Sequence, residues 1–188
     1  KKKLVKKKTA QKNTATTDKS ILDQIIRVDH AGEYGAVRIY EGQLAVLRKQ
    51  NVAQLIEHML NQERDHLRKF KEQIVTRRVR PSALLPFWHI FGFALGAGTA
   101  ILGEKAAMAC TVAVEEVIDE HYAEQIETLK NYPNEKDLKK MFQIFRDQEL
   151  EHRDTGLSEG ADQIRGYSGL SNIVKATSRV AIWLSKRI

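Results

Sequence analysis

Glu63-Arg64-Asp65-His66 and Glu149-Leu150-Glu151-His152 repeat one Glu-x-x-His spacing, and each is preceded by a separate glutamate, Glu33 in the first half and Glu115 in the second. A Glu and a His three residues apart lie on one face of a helix, so both can reach a single point. One such pair is commonplace on a solvated helix. Two pairs with two further glutamates make four carboxylates and two imidazoles, the inventory with which a four-helix bundle holds two metal ions. Mixed carboxylate and imidazole ligation suits divalent iron or manganese. Iron adds a redox change usable with dioxygen, which zinc lacks. Glu63 and Glu149 suit bridging positions and Glu33 and Glu115 terminal ones, although spacing alone does not fix that division.

The surrounding sequence supplies the helices. Ser20 with Asp23 resembles a capping box, and apolar residues at helical spacing carry the pattern to about Lys49. Asn51 with Gln54 opens a second helix that runs to about Arg77, before Pro81. A third covers Glu104 to Lys130, and Asn131-Tyr132-Pro133-Asn134 breaks it before a fourth that reaches about Leu157. In an antiparallel pair, residues equidistant from the turn face each other. Glu33 and its Glu63/His66 pair are centred near position 48 or 49, and Glu115 and its Glu149/His152 pair near 132 or 133. Both centres fall on the expected turns, so each hairpin brings its own Glu level with its own Glu-x-x-His. Tyr40 and Tyr122 each lie seven residues after Glu33 and Glu115, on a similar face.

Between the hairpins, residues 81–103 hold no formal charge over 23 residues. That length is enough for a membrane span. A single crossing, however, would strand the two hairpins on opposite sides of the bilayer and split the site. A crossover lying along the bundle avoids this, since 23 helical residues extend about 35 Å at about 1.5 Å per residue. Phe87, Trp88, Ile90, Phe91 and Phe93 within it ask for an apolar neighbour, with a lipid interface the leading expectation. Residues 170–188 form a last helix with an apolar side of Ile173, Val180, Trp183 and Leu184 flanked by Lys175, Arg179, Lys186 and Arg187, a pattern suited to an anionic lipid surface.

The net charge of +7 resides in the first 19 residues, which hold eight Lys and one Asp. Residues 20–188 are neutral, with 23 basic and 23 acidic side chains, and this argues against a nucleic-acid partner. Residues 1–19 read as a flexible basic tail. The rest reads as one domain. Cys110 is the single cysteine, which excludes an internal disulfide and weakly favours a reducing compartment.

Several segments together resemble the demethoxyubiquinone hydroxylase family of ubiquinone biosynthesis. They are Val28-Asp29-His30-Ala31-Gly32-Glu33-Tyr34-Gly35-Ala36, Gln62-Glu63-Arg64-Asp65-His66-Leu67, Phe91-Gly92-Phe93-Ala94-Leu95-Gly96-Ala97-Gly98-Thr99-Ala100, Ala113-Val114-Glu115-Glu116 and Phe145-Arg146-Asp147-Gln148-Glu149-Leu150-Glu151-His152. The resemblance implies an all-α, ferritin-like four-helix bundle of two antiparallel hairpins, with an apolar crossover helix and a C-terminal amphipathic helix. It implies a di-iron centre held by Glu33, Glu63, His66, Glu115, Glu149 and His152. The implied reaction is ring hydroxylation of demethoxyubiquinone or its quinol by dioxygen, with NADH as ultimate electron source. It also implies a substrate with an isoprenoid tail, contact with membrane lipid, a lipid-binding partner protein of the same pathway, and a peripheral location on the matrix side of the mitochondrial inner membrane. His121 and Tyr122 match positions near the family's site and are the expected catalytic residues.

Other groups read more blandly. His30 is expected to support the site or lie at the surface. Glu116 is expected to meet another helix or water, and Glu57, His58 and Glu151 to be solvated. Asp29, Asp65, Asp119 and Asp147 are the candidates for holding the ligand imidazoles. The competing function is a ferritin-like metal-oxidising or iron-storage protein, which needs the same centre but neither the uncharged crossover nor the basic terminal helix.

Overall fold

A computed structural model describes the backbone from Lys2 to Ile188 and the side chains from Asp18 onward. The expectation of a flexible tail over 1–19 falls almost entirely on side chains outside that description. Six α-helices follow in order: α1 (Lys2–Leu47), α2 (Ala53–Arg77), α3 (Leu85–Ile101), α4 (Glu104–Leu129), α5 (Lys136–Ser158) and α6 (Tyr167–Ser185), with one short 3-10 turn at Ala161–Gln163. There is no strand among the described residues.

α1 with α2, and α4 with α5, form the two expected hairpins, and α3 returns the chain along α1 from the end of the first to the start of the second. None of the predicted helix starts is capped by its side chain. α1 runs straight through Ser20, and neither Pro nor Gly interrupts residues 2–31. α2 begins after Val52 rather than at an Asn51 cap, and α5 begins after Glu135. Glu135 instead takes both guanidinium nitrogens of Arg77, at 2.9 and 2.6 Å, pinning the last turn of α2 to the first of α5.

The buried apolar side chains divide into two main clusters. One gathers Tyr40, Leu47, Ile56, Met59 and Met108 near the α1/α2 turn; the other gathers Ile25, Phe70, Leu129, Leu138 and Phe142 near the α4/α5 turn. The ionisable residues of the Glu-x-x-His repeats lie between them.

α3 sits against α1 at backbone distance. A methyl group at Gly42 would strike the Phe93 carbonyl, and one at Gly96 would strike the Ile39 carbonyl. Gly is therefore required on both helices at this crossing. The outer side of α3 keeps Phe87, Ile90, Ile101 and Leu102 exposed, the last three more than 70%. No helix among the described residues is long and apolar enough to cross a membrane.

α6 packs mainly on α4, and two of the four cations expected beside its apolar side find acidic partners there. Lys175 pairs with Glu116, and Arg179 pairs with Glu120 at 3.0 Å. Glu116 and Glu120 are one turn apart on α4, as are Lys175 and Arg179 on α6, so the two ladders match in register. Arg187 lies 4.0 Å over the Trp183 ring. Ile173, Val180 and Trp183 remain exposed. Lys186 and Arg187 have no acidic partner among the described residues, so the surface of this helix keeps both apolar and cationic groups.

Candidate metal centre

The six residues of the repeated pattern converge at mid-bundle, one from each of α1 and α4 and two from each of α2 and α5. Glu33, Glu63, His66 and Glu149 offer ligand atoms within 4.8 Å of one another, and so do Glu63, Glu115, Glu149 and His152. Glu63 and Glu149 belong to both groups. All six are at most 4% exposed.

Four carboxylates in so dry a place repel each other and are costly to leave uncompensated. Burial, and then the Glu149 charge, push the Glu63 and Glu115 carboxyls well above the usual range. Burial alone would lower His66 and His152, yet the surrounding carboxylates lift them to about 12 and about 11. Burial would raise Glu149, but the two imidazoles pull it down to about 2. The cluster therefore demands positive charge at its centre.

The donor atoms are also turned inward without protein hydrogen bonds. His66 Nδ1 lies 3.1 Å from Glu149 Oε1 and 3.5 Å from Glu33 Oε2; His152 Nδ1 lies 3.2 Å from Glu63 Oε1 and 3.1 Å from Glu149 Oε2. Neither Nδ1, nor Glu63 Oε1, nor Glu149 Oε2, has a hydrogen-bond partner. Buried polar atoms without partners require an explanation. Cations bound among these atoms would give all four a partner.

The groups that hold these side chains follow the chain's internal repeat. His66 Nε2 meets Gln148 Oε1 at 2.8 Å, and His152 Nε2 meets Gln62 Oε1 at 2.9 Å. Each Gln precedes the Glu of one repeat and holds the His of the other; an Nε2–H donated to the Gln oxygen would leave Nδ1 available to a metal ion. The aspartates expected in this role do otherwise: Asp65 is exposed beside Arg68, Asp119 accepts from Arg146 at 2.6 Å, Asp147 is exposed, and Asp29 meets His121. Asp was favoured by the chemistry of imidazole support. The usable signal was the Gln four residues before His in both repeats.

Tyrosines complete the same symmetry. Tyr40 donates to Glu115 Oε1 at 2.8 Å, and Tyr122 donates to Glu33 Oε1. His121, beside Tyr122, is turned to another cluster, with Nε2 at 3.2 Å from Asp29 Oδ1 and 2.8 Å from Gln125 Nε2. His30 is neither at the surface nor among the converging atoms. It is 5% exposed, and burial with the nearby Lys71 charge pushes it down to about 4, so it is neutral at physiological pH. His89 bonds Tyr34 through Nδ1 at 2.6 Å, while Glu57, His58 and Glu151 are exposed as expected.

An apolar slot approaches this centre from outside. Its walls are Trp88, Phe91 and Leu95 of α3 and Ala181 and Ile182 of α6; its floor is Gly32, Gly35 and Ala36 of α1 with Val114 and Ile118 of α4. The floor residues Gly32 and Val114 are sequence neighbours of Glu33 and Glu115. Trp88 Nε1 donates to Ser185 Oγ at 3.1 Å and ties the two walls together. Side chains built at Gly32 and Gly35 would meet nothing within 4 Å, so these glycines leave free space in the floor.

Comparison with known proteins follows the same residues. The family model described as "Ubiquinone biosynthesis protein COQ7" matches residues 20–185. The chain is 55% identical to the human "NADPH-dependent 3-demethoxyubiquinone 3-hydroxylase, mitochondrial", over 90% of this chain and 79% of that protein. It is 53% identical to the Rhodospirillum rubrum "3-demethoxyubiquinol 3-hydroxylase", with the same coverage. It is 41% identical to the Saccharomyces cerevisiae "5-demethoxyubiquinone hydroxylase, mitochondrial", over 94% of this chain and 82% of that protein.

Proposed function

The chain belongs to the family of ubiquinone biosynthesis protein COQ7, and from that membership and the geometry of its centre we propose a di-iron monooxygenase that hydroxylates the ring of demethoxyubiquinone or its quinol. Glu33, Glu63, His66, Glu115, Glu149 and His152 would hold the two iron ions, and Glu63 and Glu149 are the residues available to both. The carrying observation is that these two carboxylates alone belong to both groups of converging atoms. Iron bound there supplies the redox change that lets dioxygen react with an aromatic ring.

The protein's own residues define the rest of the chemistry. Gln148 and Gln62 hold the imidazoles in the ligating tautomer, and Tyr40 and Tyr122 hold the terminal glutamates from the opposite helix. Near-complete burial of the six ligands keeps bulk water from the site. His121 and Tyr122 act at the Glu33 side, where Tyr122 contacts the ligand itself. The slot between α3 and α6 accepts the isoprenoid tail and admits the ring along Gly32 and Gly35. The apolar residues exposed around it fit peripheral attachment to lipid on the matrix face of the mitochondrial inner membrane, with a lipid-binding partner delivering substrate. Electrons come from a reduced nicotinamide. Several relatives carry NADPH in their names where the sequence resemblance suggested NADH.

Anaerobic reconstitution tests the centre, and two iron per chain is the expected result. Product analysis after adding demethoxyquinol and dioxygen to the reduced, loaded protein tests the reaction. A loaded protein that consumes dioxygen and releases only ferric iron would instead support metal oxidation or storage; no residue pattern in the slot favours that reading.

A further inference from the structure

The two halves of the repeat differ in side-chain volume beside the metal centre. Gly32, Gly35 and Ala36 on α1 correspond to Val114, Val117 and Ile118 on α4, each counted from its own glutamate. Side chains are stripped from α1 and kept on α4, so the slot is cut into the α1 side of its floor.

Register fixes what stands level with the ligand cluster. The ties Tyr40–Glu115 and Tyr122–Glu33 are centred between Ala36 and Val37 on α1, and between Ile118 and Asp119 on α4. α6 runs parallel to α4, because Lys175 pairs with Glu116 and Arg179 with Glu120. The same register sets Thr177 level with Ile118 and Ser178 level with Asp119. Polar side chains enter the slot lining at Trp88, Thr177, Ser178 and Ser185, and the rest of the lining is apolar. Thr177 Oγ1 donates to the Val174 carbonyl at 2.8 Å, and Trp88 Nε1 donates to Ser185 Oγ at 3.1 Å. Ser178 is half-buried, and its hydroxyl has no hydrogen-bond partner among the described residues. It is the polar group that the slot offers to a ligand at the level of the cluster. Ser185 lies seven residues further along α6, about 10 Å away at about 1.5 Å per residue. Around that end Phe87, Trp183 and Ile188 are each at least half exposed.

We propose that Ser178 seats the quinol ring, its hydroxyl bonding a ring oxygen, while the isoprenoid tail runs past Ile182 and the Trp88–Ser185 tie to the exposed apolar end. The assignment rests on the proposed hydroxylation. In a demethoxyquinol the carbon to be hydroxylated lies on the ring edge away from the tail. A tail directed towards Ser185 therefore turns that edge towards the ligand cluster and brings a ring oxygen to the α6 wall. The ring rests over Ala36, where α1 carries only a methyl, and Ile118 closes the opposite side. The Ser178 hydroxyl can donate to a quinone carbonyl, and can donate to or accept from a quinol hydroxyl, so it holds either redox form. Apolar contact holds the tail, and this bond sets the orientation of the ring.

Binding tests the seat apart from turnover. Iron-loaded, unreduced protein is titrated with short-tailed demethoxyquinone, and quenching of Trp88 is read in a Trp183→Phe background. Ser178→Ala is expected to weaken binding about three- to tenfold, the worth of one hydrogen bond. Thr177→Val, whose lost hydroxyl faces its own helix, is expected to stay within twofold. An isoprenylbenzene without ring oxygens is expected to bind Ser178→Ala and the unaltered protein alike. Ala181→Phe, one turn from Ser178 towards Ser185, is expected to weaken the long-tailed quinone at least tenfold and a tail-less ring less than twofold. Equal quinone affinity in Ser178→Ala overturns the proposal. So does an equal loss for the oxygen-free analogue, or an equal loss for tailed and tail-less rings in Ala181→Phe. If the reduced protein binds the quinol but does not hydroxylate it, the functional reading fails separately, and these affinities still decide where the ring sits.

Discussion

Tyr40 on α1 donates its hydroxyl to Glu115 on α4 at 2.8 Å, and the bond recurs with the helices exchanged, Tyr122 donating to Glu33. The metal centre is thus spanned by two reciprocal ties between the hairpins. Each tie orients a glutamate of the opposite hairpin. Removing one hydroxyl leaves a buried carboxylate oxygen short of a donor, which costs about 1–3 kcal/mol. Tyr40→Phe is expected to lower iron affinity about 10- to 100-fold while leaving helicity intact. Chelator competition monitored by iron content measures this, and unchanged affinity would show that Glu115 is held adequately without Tyr40.

The glutamine ties lead to a paired prediction. Gln62→Leu should weaken the ion on His152, and Gln148→Leu the ion on His66, although each Gln sits in the other repeat. Each loss is expected to be about 10- to 100-fold in affinity, with half-loaded protein accumulating at limiting iron. Equal weakening of both ions by either variant would argue against crossed support.

How much of this was legible in the sequence follows from which forces act locally. Glu33, Glu63, His66, Glu115, Glu149 and His152 were readable because helical spacing and turn position fix which residues share a level, and all six do converge. The Gln62 and Gln148 ties were not read, because their partners lie on another helix and Gln is an ordinary surface residue. The pairing of two of the four α6 cations was hidden for a similar reason. Lys175 and Arg179 look free until α4 lays Glu116 and Glu120 beside them. Helix starts also escaped local rules, since Ser20 and Asn51 offer caps that the packed bundle does not use.

A pH effect is expected from the Arg77–Glu135 pair. The guanidinium holds the Glu135 carboxyl below its usual value, working against partial burial. A carboxyl with a lowered folded pKa contributes stability above the unfolded value of 4.5 and loses it as pH falls through the folded value. Both partners are partly solvated, so the contribution is about 1 kcal/mol. Glu135→Gln should therefore be less stable than the unaltered protein at pH 7, with the gap closing below pH 4.5. Urea unfolding of both iron-free proteins across this range measures it, and a gap that is constant with pH would show that the pair contributes packing rather than charge.

The glycines of α1 and α3 separate the slot from the scaffold. Gly35→Val places its methyls in free space in the slot floor, whereas Gly96→Ala drives a methyl into the Ile39 carbonyl. Gly35→Val is expected to raise KM for a long-tailed quinol about tenfold or more, with iron loading and melting temperature nearly unchanged. Gly96→Ala is expected to destabilise by about 1–3 kcal/mol, since the two backbones must separate. If Gly35→Val leaves KM unaltered for short- and long-tailed quinols alike, the substrate does not pass over α1.

Attachment to lipid is expected to depend on the exposed apolar residues of α3 rather than on the α6 cations. Phe87 is 55% and Ile90 72% exposed, while Phe91 and Phe93 are half-buried, Phe93 beneath the Arg38 guanidinium at 5.0 Å. Burying one large apolar side chain in the acyl region contributes about 1.5–3 kcal/mol. Phe87→Ser with Ile90→Ser should therefore reduce partitioning to anionic liposomes at least tenfold. Lys175→Gln should change it little, because that ammonium is already spent on Glu116. Its effect should appear instead as looser docking of α6 and faster amide exchange along residues 167–185. Sedimentation with liposomes and hydrogen exchange read the two outcomes separately. A large loss of lipid binding in Lys175→Gln, with α6 exchange unchanged, would return the α6 cations to the membrane surface and displace α3 as the principal contact.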